Sequence, residues 1–100
     1  MAVIFVSRHP GAREWMRRQP IRVDRWVSHL QANEVERGDT VIGVLPMHLA
    51  AQVCAKGARF LALELDLPAQ CRGQELSSEM LEGFECRLQE YVVTRSSGEV

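Results

Sequence analysis

Ser7, Arg8 and His9 stand in succession at the end of an apolar run, directly before Pro10 and Gly11, in the stretch VSRHPGA. A turn from a strand into a helix requires only the proline and the glycine. The other three supply a bidentate cation, a rotating hydroxyl and an imidazole that can take or give a proton, which is what phosphate recognition and proton transfer use. Two further imidazoles occur, His29 after Ser28 and His48 two residues after Pro46. Arg72 and Gly73 fall in the polar stretch PAQCRGQE, shortly after Asp66. Carboxylates are scarce beside these groups, and Asp66 is the only one close to an expected strand exit. A two-metal phosphoesterase needs several carboxylates at one point. The set therefore fits metal-independent chemistry on a phosphodiester or nucleotide, with no cofactor. The absence of G-x-G-x-x-G after the first apolar run counts against a dinucleotide cofactor.

These residues need elements to bring them together. AVIFV (2–6) is a continuous β-rich run, the pattern of a strand covered on both faces. Pro10 opens a helix in which Ala12, Trp15, Met16 and Gln19 recur at helical spacing until Pro20. IRVDRWVSH (21–29) reads as a second strand, nearer an edge, and QANEVERGD (31–39) as a polar connection with room for a helical turn. TVIGVL (40–45) is another uninterrupted strand. A helix over about 47–56 follows, with Leu49 and Val53 on one face and Gly57 as its stop. ARFLALELDL (58–67) alternates as a strand. Ser77 or Ser78 caps a last helix with the stripe Leu81, Phe84, Leu88, Tyr91. YVVTR (91–95) reads as a short final strand, and the tail beyond it should fray.

This order predicts an α/β fold, a mostly parallel sheet of four to five strands with helices on its faces. The link between the second and third strands is short for a parallel crossover, so those strands are expected apart in the sheet or irregularly joined. Open parallel sheets bind ligands beyond the carboxyl ends of their strands. Ser7-Arg8-His9 follow the first strand, Ser28-His29 the second and Pro46-Met47-His48 the third. Asp66-Leu67-Pro68 follow the fourth, with Arg72-Gly73 a few residues on. All three histidines thus sit at expected strand exits on one rim. Plainer readings exist for each: His9 as a helix cap, His29 as a solvated edge residue, His48 as an acceptor at a helix start, Ser28 as a turn residue. Trp15 and Trp26 read as core or dimer-face residues, and the cysteines as structural.

The 100 residues make one domain, and 46% apolar with 25% charged residues is an ordinary globular balance. A net charge of −1 counts against coating duplex DNA. No run of 18 apolar residues appears, so no membrane span is expected and the chain reads as cytoplasmic. Cys54, Cys71 and Cys86 form neither a disulfide framework nor a zinc pattern. Eleven of the twelve cationic residues are arginine, the better choice for bidentate phosphate contact.

The stretches IFVSRHPGAREW (4–15), VIGVLPMHLAAQVCAKGARFLAL (41–63) and LDLPAQCRGQELS (65–77) resemble a small type III CRISPR-associated family, Csx-sixteen, over nearly the whole chain. The resemblance implies a small Rossmann-like domain acting as a ring nuclease. Such an enzyme degrades the signalling molecule cyclic tetra-adenylate and switches the antiviral response off. Ser7, Arg8, His9, Pro46, His48, Asp66, Pro68, Arg72 and Gly73 match the motif positions, and no departure stands out inside the blocks. Joined to the rim of strand exits read above, this gives a catalytic set of Arg8, His9, His48 and Ser7, with Pro46, Asp66, Arg72 and Gly73, and from the rim alone Gly11, Ser28 and His29, contacting substrate. The ribose 2′-hydroxyl serves as nucleophile, and the product is linear di-adenylate with a 2′,3′-cyclic phosphate. A chain this short cannot enclose the ring, so a homodimer presenting the rim twice is expected. The alternatives are a module that sequesters the ring without cutting it, and an interaction subunit anchored by Trp15 and Trp26.

Overall fold

Two apolar runs without polar interruption must lie inside a sheet covered on both faces, and they lie side by side at its centre. The computed structural model describes residues 1–64 and 86–96. The elements are β1 (Val3–Val6), α1 (Pro10–Arg17), β2 (Arg25–Val27), a 3-10 turn (Ala32–Glu34), β3 (Thr40–Gly43), α2 (Met47–Ala55), β4 (Arg59–Glu64) and β5 (Arg87–Tyr91). The five strands form one sheet in the order β2-β1-β3-β4-β5. The first four run parallel, and β5 is antiparallel to β4. This is the expected small Rossmann-like α/β domain. The strands joined by the short link are indeed not neighbours, because β1 lies between β2 and β3.

The alternation of side chains along each strand divides the core in two. Ile4, Val6, Val41 and Phe60 pack with Ala50 and Val53 of α2 on one face. Phe5, Ile42 and Leu63 pack with Ala12, Trp15 and Met16 of α1 on the other. Trp15 is buried in that second cluster. Trp26 lies edge-on to Phe5, with ring centroids 5.4 Å apart, and carries the Arg17 guanidinium 5.2 Å above its ring. Both indoles are therefore engaged within the domain, which weakens the idea that they anchor a protein partner.

Three boundaries differ from the sequence reading. The second strand spans Arg25–Val27 rather than 21–29. Its approach is held by Asp24, whose carboxylate accepts the Val3 N–H at 2.8 Å while its own N–H donates to the Val3 carbonyl. The third strand stops at Gly43, freeing Val44 and Leu45 for a loop. Most plainly, residues 87–91 are strand β5 and not the end of a helix. Leu88 and Tyr91 fit a helical stripe, but cross-strand partners decide the matter. Arg59 and Glu90 form a bidentate pair at 2.9 Å, Arg87 pairs with Glu64, and the Tyr91 hydroxyl donates to Glu64. Of YVVTR (91–95), expected to form the final strand, only Tyr91 is in one, as the last residue of β5, and 92–95 have no regular structure. The start of the expected last helix lies outside the described residues.

Asp39 is the one buried charged group among the described residues, 5% exposed. Its carboxylate accepts the N–H groups of Ala2 and Glu36, each at 2.9 Å, tying the chain's start to the turn before β3. Those two donors, Ala2 first, hold its pKa below the usual carboxylate value. A carboxylate depressed in the folded state adds stability above the unfolded pKa and loses it as pH falls through the folded one. Denaturant unfolding should therefore show stability dropping as pH goes below about 4, with a flatter slope in D39N. D39A leaves two backbone donors without an acceptor and should cost about 2–3 kcal/mol at neutral pH.

Candidate functional site

The strand order reverses between β1 and β3. From β1 the chain goes out to β2 on one side and returns to β3 on the other. At such a switch point the connections diverge and leave a crevice beyond the carboxyl ends of the strands. A cleft of about 610 Å³ lies there, within the roughly 300–1,000 Å³ of small-molecule sites. Its polar side is Ser7, Arg8, His9, Ser28 and His29. Leu30, Val44, Leu45, Pro46, Leu49 and Leu63 supply most of its apolar lining.

Three of the strand exits singled out in the sequence thus meet in one cavity: those of β1 and β2, and the β3 exit through Pro46. Arg8 is exposed and, among the described residues, faces no carboxylate. His9 is half-buried, with its Nδ1 shielded from solvent. Ser28 and His29 are exposed at the cleft. His48 sits exposed on the first turn of α2 and is not among the residues lining the cavity. Gly11 is buried in the first turn of α1, behind the lining. Asp66, Pro68, Arg72 and Gly73 lie outside the described residues.

The electrostatics favour negative charge. No carboxylate appears among the described residues of the lining. Both helices begin at the cleft, α1 with Pro10 and α2 just after Pro46. Neither helix has a side-chain cap or an acidic residue in its first turn, so the positive ends of their dipoles stay uncompensated at the cavity. The Ser7 Oγ accepts the His9 N–H at 3.0 Å, which leaves its own proton to donate. Away from the cleft, arginines are balanced in exposed pairs: Arg17 and Arg18 with Glu14, Arg22 with Asp24, Arg25 with Glu34. Such pairs add little stability. Among the described residues of the lining, Arg8 is the cation, and no carboxylate there offsets it.

Two features escaped the sequence reading. Arg13, one helical turn after His9, donates from Nε to the Ser7 carbonyl at 2.7 Å and from Nη2 to the Ser28 Oγ at 3.0 Å. It belongs to no strand exit and to no apolar stripe, so nothing in the sequence singled it out. The only available signal was the start of α1 at Pro10, which places residue 13 over the turn. Gly43, at the end of β3, has φ +149°, and a Cβ there would lie 2.4 Å from the Val6 carbonyl oxygen. β1 and β3 approach this closely just below the cavity.

Cys54 and Cys86 are free thiols. Burial pushes the Cys86 thiol up to about 11, so it is protonated and unreactive at neutral pH. Among the described residues no three His, Cys, Asp or Glu side chains gather as a metal site requires, and no helix is long and apolar enough to cross a membrane.

A family model described as "Putative CRISPR-associated protein (Cas_VVA1548)" matches residues 4–94. No curated protein and no solved structure matches the chain.

Proposed function

The chain belongs to this CRISPR-associated family, and from that premise we propose that it is a ring nuclease that binds and cleaves cyclic tetra-adenylate without a metal. One observation carries the reading: a cleft at the sheet's switch point whose polar lining is made of one arginine, two imidazoles and two hydroxyls, flanked by two uncapped helix starts. That surface suits a phosphodiester. The apolar lining from Leu45, Pro46, Leu49 and Leu63 suits a base beside it.

The chemistry asks little of the protein. The 2′-oxygen attacks its own 3′-phosphorus, the bond from phosphorus to the 5′-oxygen breaks, and a 2′,3′-cyclic phosphate and a 5′-hydroxyl result. Holding the 2′-oxygen in line with the leaving oxygen supplies much of the rate. Arg8 and the helix N–H groups stabilise the charge that builds on phosphorus. His9 takes the proton from the 2′-hydroxyl, and a second acid, His29 or His48, protonates the leaving oxygen. Ser7 orients the phosphate. Two cuts divide the ring into two linear di-adenylates.

A second copy of the chain over the cleft's mouth presents the same rim twice to a ring with two-fold symmetry. It would also cover Val44 and Met47, which are 72% and 79% exposed at the β3–α2 connection. The homodimer, like a place in the cytoplasm, belongs to this proposal. No role in binding duplex DNA or a membrane is part of it.

The test is incubation of the pure protein with cyclic tri-, tetra- and hexa-adenylate, with and without EDTA, and resolution of the products by mass. Linear di-adenylate carrying a cyclic phosphate, undiminished by EDTA, is the expected result. Intact ring together with a raised melting temperature would instead indicate sequestration. Complete loss of cleavage in EDTA would refute the metal-free scheme.

A further inference from the structure

We propose that Arg13 is a positioning residue that locks the exits of β1 and β2 into a single anion-binding unit, an inference that rests on the cleft being a phosphate site. Arg13 does not line the cavity itself. Its backbone N–H donates to the His9 carbonyl at 3.1 Å, which anchors it at the start of α1. From there its side chain reaches two separate exits, the Ser7 carbonyl of β1 at 2.7 Å and the Ser28 hydroxyl of β2 at 3.0 Å.

The two contacts require a guanidinium. Its N–H groups are fixed in one plane and diverge at a set angle, so one side chain can donate to two acceptors on different segments. An ammonium at the end of a flexible stem holds one such partner well. Beyond the end of the β1–β2 pairing, the backbone link between the two exits is the Ser7 N–H to Val27 carbonyl bond at 3.0 Å. Past that bond, Arg8 and His9 on one side and His29 on the other are carried by turns. Arg13 fixes the first residue of each turn and so sets the spacing of the groups that follow.

The bond to Ser28 also fixes a polarity. A hydroxyl has one proton and two lone pairs. When Ser28 Oγ accepts from the guanidinium, its own proton turns away from that cation, and the residue lines the cavity. Ser28 therefore meets a ligand as a donor. Ser7 is set in the same sense by the His9 N–H. Behind them Arg13 contributes a charge that, among the described residues, no carboxylate neutralises.

Inorganic phosphate is the probe, followed by NMR through the imidazole resonances of His9 and His29. In the wild type both cleft imidazoles should report one common dissociation constant. R13A should weaken phosphate binding at least tenfold, or split the two histidines onto different constants. R13K should recover part of the loss. S28A removes one of the two contacts, so R13A added to S28A should cost clearly less than R13A alone. An R13A protein that binds phosphate with the wild-type constant at both histidines would overturn the assignment. Should R13A fail to fold, wild-type behaviour in both R13K and S28A would overturn it equally. A wild type whose imidazoles ignore both phosphate and cyclic tetra-adenylate would defeat the phosphate-site reading beneath it.

Discussion

H9A is expected to lower the turnover of cyclic tetra-adenylate about 10²–10⁴-fold, the usual contribution of a positioned acid or base, while KM changes only a few-fold. The separation follows from what remains in place. Arg8, Ser28 and the two helix starts still hold the phosphate, and the turn survives because it depends on backbone groups. His9 has φ −85° and ψ 117°, an extended conformation open to alanine. Its carbonyl still accepts the Arg13 N–H, and its N–H still donates to Ser7 Oγ. R8A should behave in the opposite sense, raising KM as well as lowering kcat, because it removes the exposed cation from substrate and transition state alike. H48A should be milder than H9A, since His48 lies outside the lining. Single-turnover assays of the three variants check this pattern. H9A turning over at the wild-type rate would remove the imidazole from the mechanism.

The largest structural effect is expected at Gly43. Alanine there must adopt φ +149° and place its Cβ 2.4 Å from the Val6 carbonyl oxygen. That oxygen is backbone in the central strand pair, where Val6 stands in register with Gly43, so relief requires parting β1 from β3. Strain and overpacking together should cost about 3–4 kcal/mol. For a domain this size that corresponds to a fall in Tm of about 15 °C or more. Gly57 provides the contrast. Its φ is also positive, at +86°, but a Cβ there meets the flexible Arg37 side chain at 3.0 Å, which can move aside. G57A should therefore cost clearly less. Thermal unfolding of both variants decides between these expectations, and G43A melting within a few degrees of wild type would contradict the close-packed junction. Because Val6 and Val44 line the cleft on either side of this contact, any G43A that folds should also bind phosphate more weakly.

Legibility along the chain followed the source of each element's stability. β1 and β3 were readable because both faces of a central strand must be apolar, and that requirement is written in consecutive residues. α1 and α2 were readable because Pro10, Pro46 and Gly57 punctuate them. β5 was misread because Leu88 and Tyr91 satisfy a helical period, whereas its actual stabilisation comes from Arg59, Glu64 and Leu63 on a strand more than twenty residues away. No local pattern reports such partners. β2 was read too long for a related reason: Asp24 ends the pairing through a contact to Val3, distant in sequence.

The same division holds at the cleft. Residue order alone determined that Ser7-Arg8-His9, Ser28-His29 and Pro46 each follow a strand, because the alternation of apolar runs and punctuating residues is local information. Strand order, and with it the meeting of those exits in one cavity, was decided by the tertiary structure. So were the position of His48 outside the lining and the bridge from Arg13 across two exits. These depend on which strands become neighbours, and that choice is made by burying both faces of the whole sheet at once.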